Sequence, residues 1–203
     1  MTHTARIREA ELTGLDGMMV KAFSKKMFGD VPVPVKVAWH NKPVLKFSLS
    51  IGRKTRKWNQ CDEDLKSLAH IAVASLVGCS FCLDLGYFMA HNEGLDVAKA
   101  REVPRWRESN AFTPLERDVM EYAEAVSQTP PTVTDQLSER LRRALGEPAI
   151  VELLAFIAVA NYHARTNAAL GVEAHGLAAS CDLPPLAEPS AGVQLTRHVV
   201  HER

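Results

Sequence analysis

The sequence predicts an all-helical, single-domain protein, and three observations carry that expectation. Apolar residues recur at three- and four-residue spacing along most of the chain, the segments so defined start at capping residues and stop at glycines, and no two segments alternate as sheet partners would. With 203 residues, 46% of them apolar, the chain is long enough to bury one sizeable core.

The elements follow in order. Residues 15–28 read as a first helix, and Val31-Pro32-Val33-Pro34 as an extended connection, because a residue before proline is pushed out of the helical region. Residues 45–51 alternate apolar and polar as a half-buried strand does, but no partner strand exists, so they are assigned as helical or irregular. Residues 65–77 form an apolar helix ending at Gly78, which suits a left-handed C-terminal cap, and residues 83–93 form the next. Thr113-Pro114-Leu115-Glu116 is a capping box that opens a helix running to about Ser127. Thr129-Pro130-Pro131-Thr132 ends that helix. Thr134 caps another, in which Leu137, Leu141 and Leu145 share a face and which Gly146 stops. Pro148 opens a long helix through Leu170, closed by Gly171. The resulting organisation is a helical extension over residues 1–60 packed on the same domain, a helical domain over 61–180, and a tail over 181–203.

Composition removes several function classes. The 24 basic residues balance 24 acidic ones, so no net field draws nucleic acid or an anionic membrane. The basic cluster Arg53-Lys54-Thr55-Arg56-Lys57 is assigned to a solvated loop. The longest apolar run, residues 149–160, is interrupted by Glu152 and falls short of membrane length. No secretory h-region opens the chain, so a reducing cytoplasm is the expected location. P-loop, dinucleotide-binding and hydrolase-elbow motifs are absent from the sequence.

Chemistry concentrates at Cys79-Ser80-Phe81-Cys82. Two thiols separated by two residues can exchange electrons as a unit, and Cys82 falls in the first turn of a helix, where free N–H groups and the positive dipole end favour a thiolate. A zinc site would need two further ligands. Cys61 and Cys181 stand alone, and His198 and His201, three apart, lie in the polar tail, so no metal and no other cofactor is expected. An inert buried pair, cysteine used as a small apolar residue, is the remaining alternative. Candidate proton-handling groups are His70, which interrupts an apolar helix, Asp84, two residues beyond Cys82 and on the face of His91, and Glu93, on the face of Cys82; Glu63 lies near the start of the preceding helix. A second polar set, Asn161, Arg165 and, around the same helix, His163 and Asn167, allows two readings. Arg165 either approaches the thiols or a substrate carboxylate, or pairs structurally with a buried acid or a neighbouring subunit.

The order Gly78-Cys79-Ser80-Phe81-Cys82, Gly94-Leu95-Asp96, Phe112-Thr113-Pro114-Leu115-Glu116-Arg117, Val133-Thr134-Asp135 and Asn161-Tyr162-His163-Ala164-Arg165 resembles the carboxymuconolactone decarboxylase and alkylhydroperoxidase D-like superfamily over about residues 65–176. The resemblance implies an all-helical bundle that assembles as trimers or hexamers. It also implies a thiol peroxidase in which Cys82 attacks a hydroperoxide, Cys79 resolves the sulfenic acid, and an external thiol donor restores the pair. The sequence departs from the peroxidase pattern twice. Gly86 stands where that branch has a histidine four residues after the second cysteine, and Ser67 where it has a glutamate twelve residues before the first. Both substitutions predict a slow peroxidase. The competing expectations are a lyase acting on a small carboxylated lactone, with Arg165 holding the carboxylate, and a non-catalytic, redox-sensing helical oligomer.

Overall fold

A computed structural model describes residues 5–188; His198, His201 and the rest of the tail past residue 188 lie outside the described residues. Nine α-helices occur within them: α1 Gly14–Phe28, α2 Val33–Ala38, α3 Lys42–Thr55, α4 Glu63–Val77, α5 Ser80–Glu93, α6 Val97–Glu102, α7 Pro114–Ser127, α8 Asp135–Leu145 and α9 Glu147–Ala169. Short 3-10 turns follow α6 at Val103–Arg105 and close the fold at Ala179–Cys181. No strand is present among the described residues, so the expected all-α class is the observed one.

Helix limits follow local chemistry. Asp62 caps α4 by accepting from the Asp64 and Leu65 N–H groups, the Thr113–Glu116 capping box is formed at α7, and Thr134 accepts from Leu137 at α8. Two segments differ from their sequence reading. The extended stretch around Val31 ends at Pro32, and Val33 already starts α2 because Pro34, lying in the first turn, gives up no needed hydrogen bond there. Residues 45–51 lie inside α3, started by the Asn41 side chain accepting from the Val44 N–H; their alternation reflects a surface helix that buries Leu45 and exposes Phe47. The basic cluster correspondingly begins in the last turn of α3, where cations meet the negative end of the dipole, instead of in a loop.

α4 is the central element, packed on α5, α7 and α9. Its Leu68, Ile71 and Val73 meet Val119 and Met120 of α7 and Leu153 and Ile157 of α9, all completely buried. Lys66, 1% exposed, reaches Glu152 of α9 at 3.0 Å, Glu63 at 2.7 Å and the Trp58 carbonyl at 2.8 Å. Burial alone would lower the Lys66 pKa, but the hydrogen bonds it donates to the two carboxylates outweigh that and raise it. Burial would likewise raise Glu152, yet the Gln60 N–H and Lys66 hold it below the usual range. Ahead of this bundle, Leu12, Val31, Trp39 and Leu45 form a small separate apolar cluster. No helix among the described residues is long and apolar enough to cross a membrane.

Candidate functional site

The turn that ends α4 sets the site. Gly78 adopts a left-handed conformation (φ 75°), and the Gly78 and Cys79 N–H groups bond back to the Ser75 and Ala74 carbonyls, which closes one helix and aims the chain into the next. Cys79 becomes the N-cap of α5, its sulfur accepting from the Cys82 N–H at 3.2 Å. The Cys79 and Cys82 sulfurs lie at bonding distance, 2.28 Å, with the Cα atoms 5.2 Å apart. Both residues are buried.

Two neighbouring helices bring polar groups to this joint. From α9, the Asn167 amide donates to the Cys82 sulfur at 3.5 Å, and Asn167 is itself buried. From α4, the His70 ring packs on Phe156 of α9. Burial, and after it nearby His163 of α9, lower the His70 pKa to about 4, with the Cys82 backbone acting the other way. His163 is also held low by burial, so both imidazoles are neutral at neutral pH. On α5 itself, Gly86 lies directly under the His70 ring: a Cβ there would sit 2.9 Å from His70 Cδ2 and 3.3 Å from Nε2. Further along, Ser67 of α4 donates to the Glu93 carboxylate of α5 at 3.2 Å; burial raises the Glu93 pKa, which the Ser67 bond opposes.

Asp84 does other work. Its two oxygens accept from the His175, Leu177 and Ala178 N–H groups at 3.1, 2.9 and 2.9 Å, and Ser80 Oγ accepts from Ala174 N–H at 3.1 Å. The carboxylate therefore clasps the segment after α9 onto α5, with the His175 ring packed edge-on against Phe81 and accepting from the Val33 N–H. Its acceptor capacity faces the clasp. Arg165 bonds to Asn161 Oδ1 at 3.2 Å and to the Ser127 carbonyl, while Asn161 donates to Ser127 Oγ at 2.7 Å. These side chains tie α9 to the end of α7. Asn167, grouped with Arg165 by sequence, is instead the member that reaches the thiols, and its signal was its four-residue spacing from His163. Among the described residues no group of three or more His, Cys, Asp or Glu is arranged to hold a metal ion.

The site's order along the chain agrees with known proteins. The carboxymuconolactone decarboxylase family matches residues 44–125, which span α3 to α7 and include the cysteine pair. YnjA of Escherichia coli (strain K12), an uncharacterized protein, is 34% identical over 162 residues, covering 79% of this chain and 87% of its own. Among solved structures, the alkylhydroperoxidase AhpD core of a peroxidase-related protein from Ralstonia eutropha JMP134 superposes with a TM-score of 0.74 at 15% identity, over 86% of this chain and 94% of that one. The debrominase Bmp8, as a cysteine-to-alanine variant with 2,3,4-tribromopyrrole, superposes with a TM-score of 0.73 at 19% identity, over 85% and 95% of the two chains. At those identities the structural likeness establishes the fold, while the similarity to YnjA and the matched span around the thiols establish that the chain belongs to the carboxymuconolactone decarboxylase family.

Proposed function

We propose that the protein is a thiol-disulfide oxidoreductase of peroxidase type, with Cys82 as the attacking thiolate and Cys79 as the resolving thiol. The carrying observation is the pair at bonding distance across the first turn of α5, with the Asn167 amide on the Cys82 sulfur. An N–H donor and a helix N-terminus both stabilise negative charge on that sulfur, and thiolate is the reactive form. In the reduced protein, the Cys82 thiolate attacks one peroxide oxygen. An S–O bond forms as the O–O bond breaks, and the leaving alkoxide takes a proton to depart as alcohol. Cys79 then attacks the Cys82 sulfenic acid, forming the S–S bond and expelling water. Two electrons have passed from the dithiol to the peroxide, and an external thiol donor returns the disulfide to the dithiol.

The lyase alternative needs a free cation for a substrate carboxylate. Arg165 already bonds to Asn161 and to the Ser127 carbonyl, which favours the redox reading. Assembly belongs to the same proposal: Leu15, Met18, Met19 and Phe23 of α1, Phe47 of α3 and Val151 of α9 stand exposed, and further copies of the chain are the partners we assign to such apolar surface. The test is dimedone labelling after one equivalent of hydroperoxide. In Cys79→Ser a sulfenic adduct is expected at Cys82, and in Cys82→Ser peroxide consumption is lost. Absence of any adduct, with turnover of 2,3,4-tribromopyrrole or of a carboxylated lactone in its place, would reject the peroxidase assignment.

A further inference from the structure

Cys79 and Cys82 are 1% and 3% exposed, so a molecule reaches either sulfur only by displacing what covers it. The chain leaving α9 touches α5 at Ser80, Phe81, Cys82 and Asp84. Asn167 meets the Cys82 sulfur, the Ala174 N–H meets Ser80 Oγ, and the His175 ring stands edge-on to Phe81 with the ring centroids 5.6 Å apart. The His175, Leu177 and Ala178 N–H groups all meet the Asp84 carboxylate. Residues 172–176 have no regular structure and 173–176 face solvent, while Gly171 and Gly176, both at positive φ, stand at the ends of the stretch. An exposed irregular segment tied to α5 through two side chains is easier to lift than any helix packed on α4.

We propose that residues 172–178 are a strap closed over the cysteine pair, with Asp84 and Ser80 as its latch, and that the strap limits the size of molecule reaching Cys82. Small hydroperoxides are the substrate class this favours, and larger ones enter when the strap lifts. The proposal deepens the peroxidase reading by naming that class, and rests on that reading for the peroxide alone. The bonding pattern suits release as a unit. Three N–H groups share one carboxylate, so a turn of the Asp84 side chain frees all three together. On the other side, the His175 ring accepts from the Val33 N–H at 3.2 Å, which ties the strap to the N-terminal part of the chain. Asp84 is thus a positioning residue: it governs access to Cys82 and does not touch the reacting atoms.

The experiment follows alkylation at Cys82 in the reduced protein with two reagents of one chemistry and different size, N-ethylmaleimide and a fluorescein-linked maleimide, and needs no peroxide. Peptide mass spectrometry locates the adducts. Asp84→Ala removes three of the four latch bonds. The bulky reagent is then expected to react roughly tenfold faster, the effect of one charge-assisted hydrogen bond on an opening equilibrium, and the small one to gain less. Ser80→Ala leaves every charge in place and should raise the bulky-to-small ratio in the same direction by a smaller factor. Both reagents attack the same sulfur, so the ratio cancels any change in its thiolate fraction. Cys61, 3% exposed and just before the start of α4, at the opposite end from the pair, reports general loosening, and its alkylation should not change. An unmoved ratio in either variant, folded by circular dichroism, overturns the latch, as does alkylation of Cys61 rising in step with that of Cys82. Loss of the dimedone adduct with the ratio moved as expected would instead reject the peroxide chemistry and leave the strap standing.

Discussion

α1 and α4 are each 15 residues long and rich in apolar side chains, yet they use them in opposite ways. α4 buries nine residues, Lys66 among them, whereas α1 buries only Gly17 and Ser24 and leaves Leu15, Met18, Met19 and Phe23 in the open. The contact face explains the inversion. α1 approaches the chain through its smallest residues: a Cβ on Gly17 would lie 2.6 Å from the Leu12 carbonyl carbon, so backbone meets backbone there and the large side chains point away. α4 has three neighbouring helices, and Lys66 lies on the side they cover, so even this lysine must find partners inside. Apolar content therefore does not rank helices by centrality; the number of neighbours does.

The largest expected effect breaks the α4 side of this contrast. Lys66→Ala leaves Glu152 buried without its cation and is expected to cost about 3–5 kcal/mol in urea unfolding, while Lys66→Met with Glu152→Leu should recover most of it. The loss depends on pH with a definite sign. The folded pKa of Glu152 is depressed, so its contribution is present above the ordinary carboxylate range and lost as pH falls through the folded value; that of Lys66 is raised, so its contribution is present below the ordinary lysine value and lost as pH rises through the folded one. The gap between Lys66→Ala and the parent should accordingly be widest near neutrality and close in acid. A gap that persists in acid would show that packing, not the ion pair, carries the effect.

Gly17→Ala probes the other side. Its Cβ would meet backbone that cannot turn aside, and a loss of roughly 1–3 kcal/mol is expected by thermal unfolding. A neutral result would mean that α1 is free to lift from Leu12. The smallest effect sharpens the comparison further. Phe23→Ser, on the exposed face, should change the stability of an isolated chain by less than about 0.5 kcal/mol. A larger loss that grows with protein concentration, together with a fall in mass by light scattering, is the expected signature if copies of the chain cover this face.

Legibility in the sequence followed the range of the interactions. Thr113, Thr134, Gly78 and Gly146 were readable because a cap acts on backbone groups within about four residues of itself. Pro34 misled because proline is equally at home in an extended turn and in a first helical turn. The partners of Asp84 could not be read from the sequence, because they are more than 90 positions away, in a segment with no periodic pattern to announce where it returns.

By itself the sequence determined an all-helical chain, the position of its caps, and a cysteine pair at the start of a helix, since each depends on neighbours along the chain. Only the tertiary structure decided which polar groups stand at the thiols. Asn167 reaches Cys82 because α9 packs on α5, and the His70 ring lies over α5 because Gly86 has no side chain to keep it out. Both depend on how closely helices approach, a property of the volumes packed between them that no local pattern encodes.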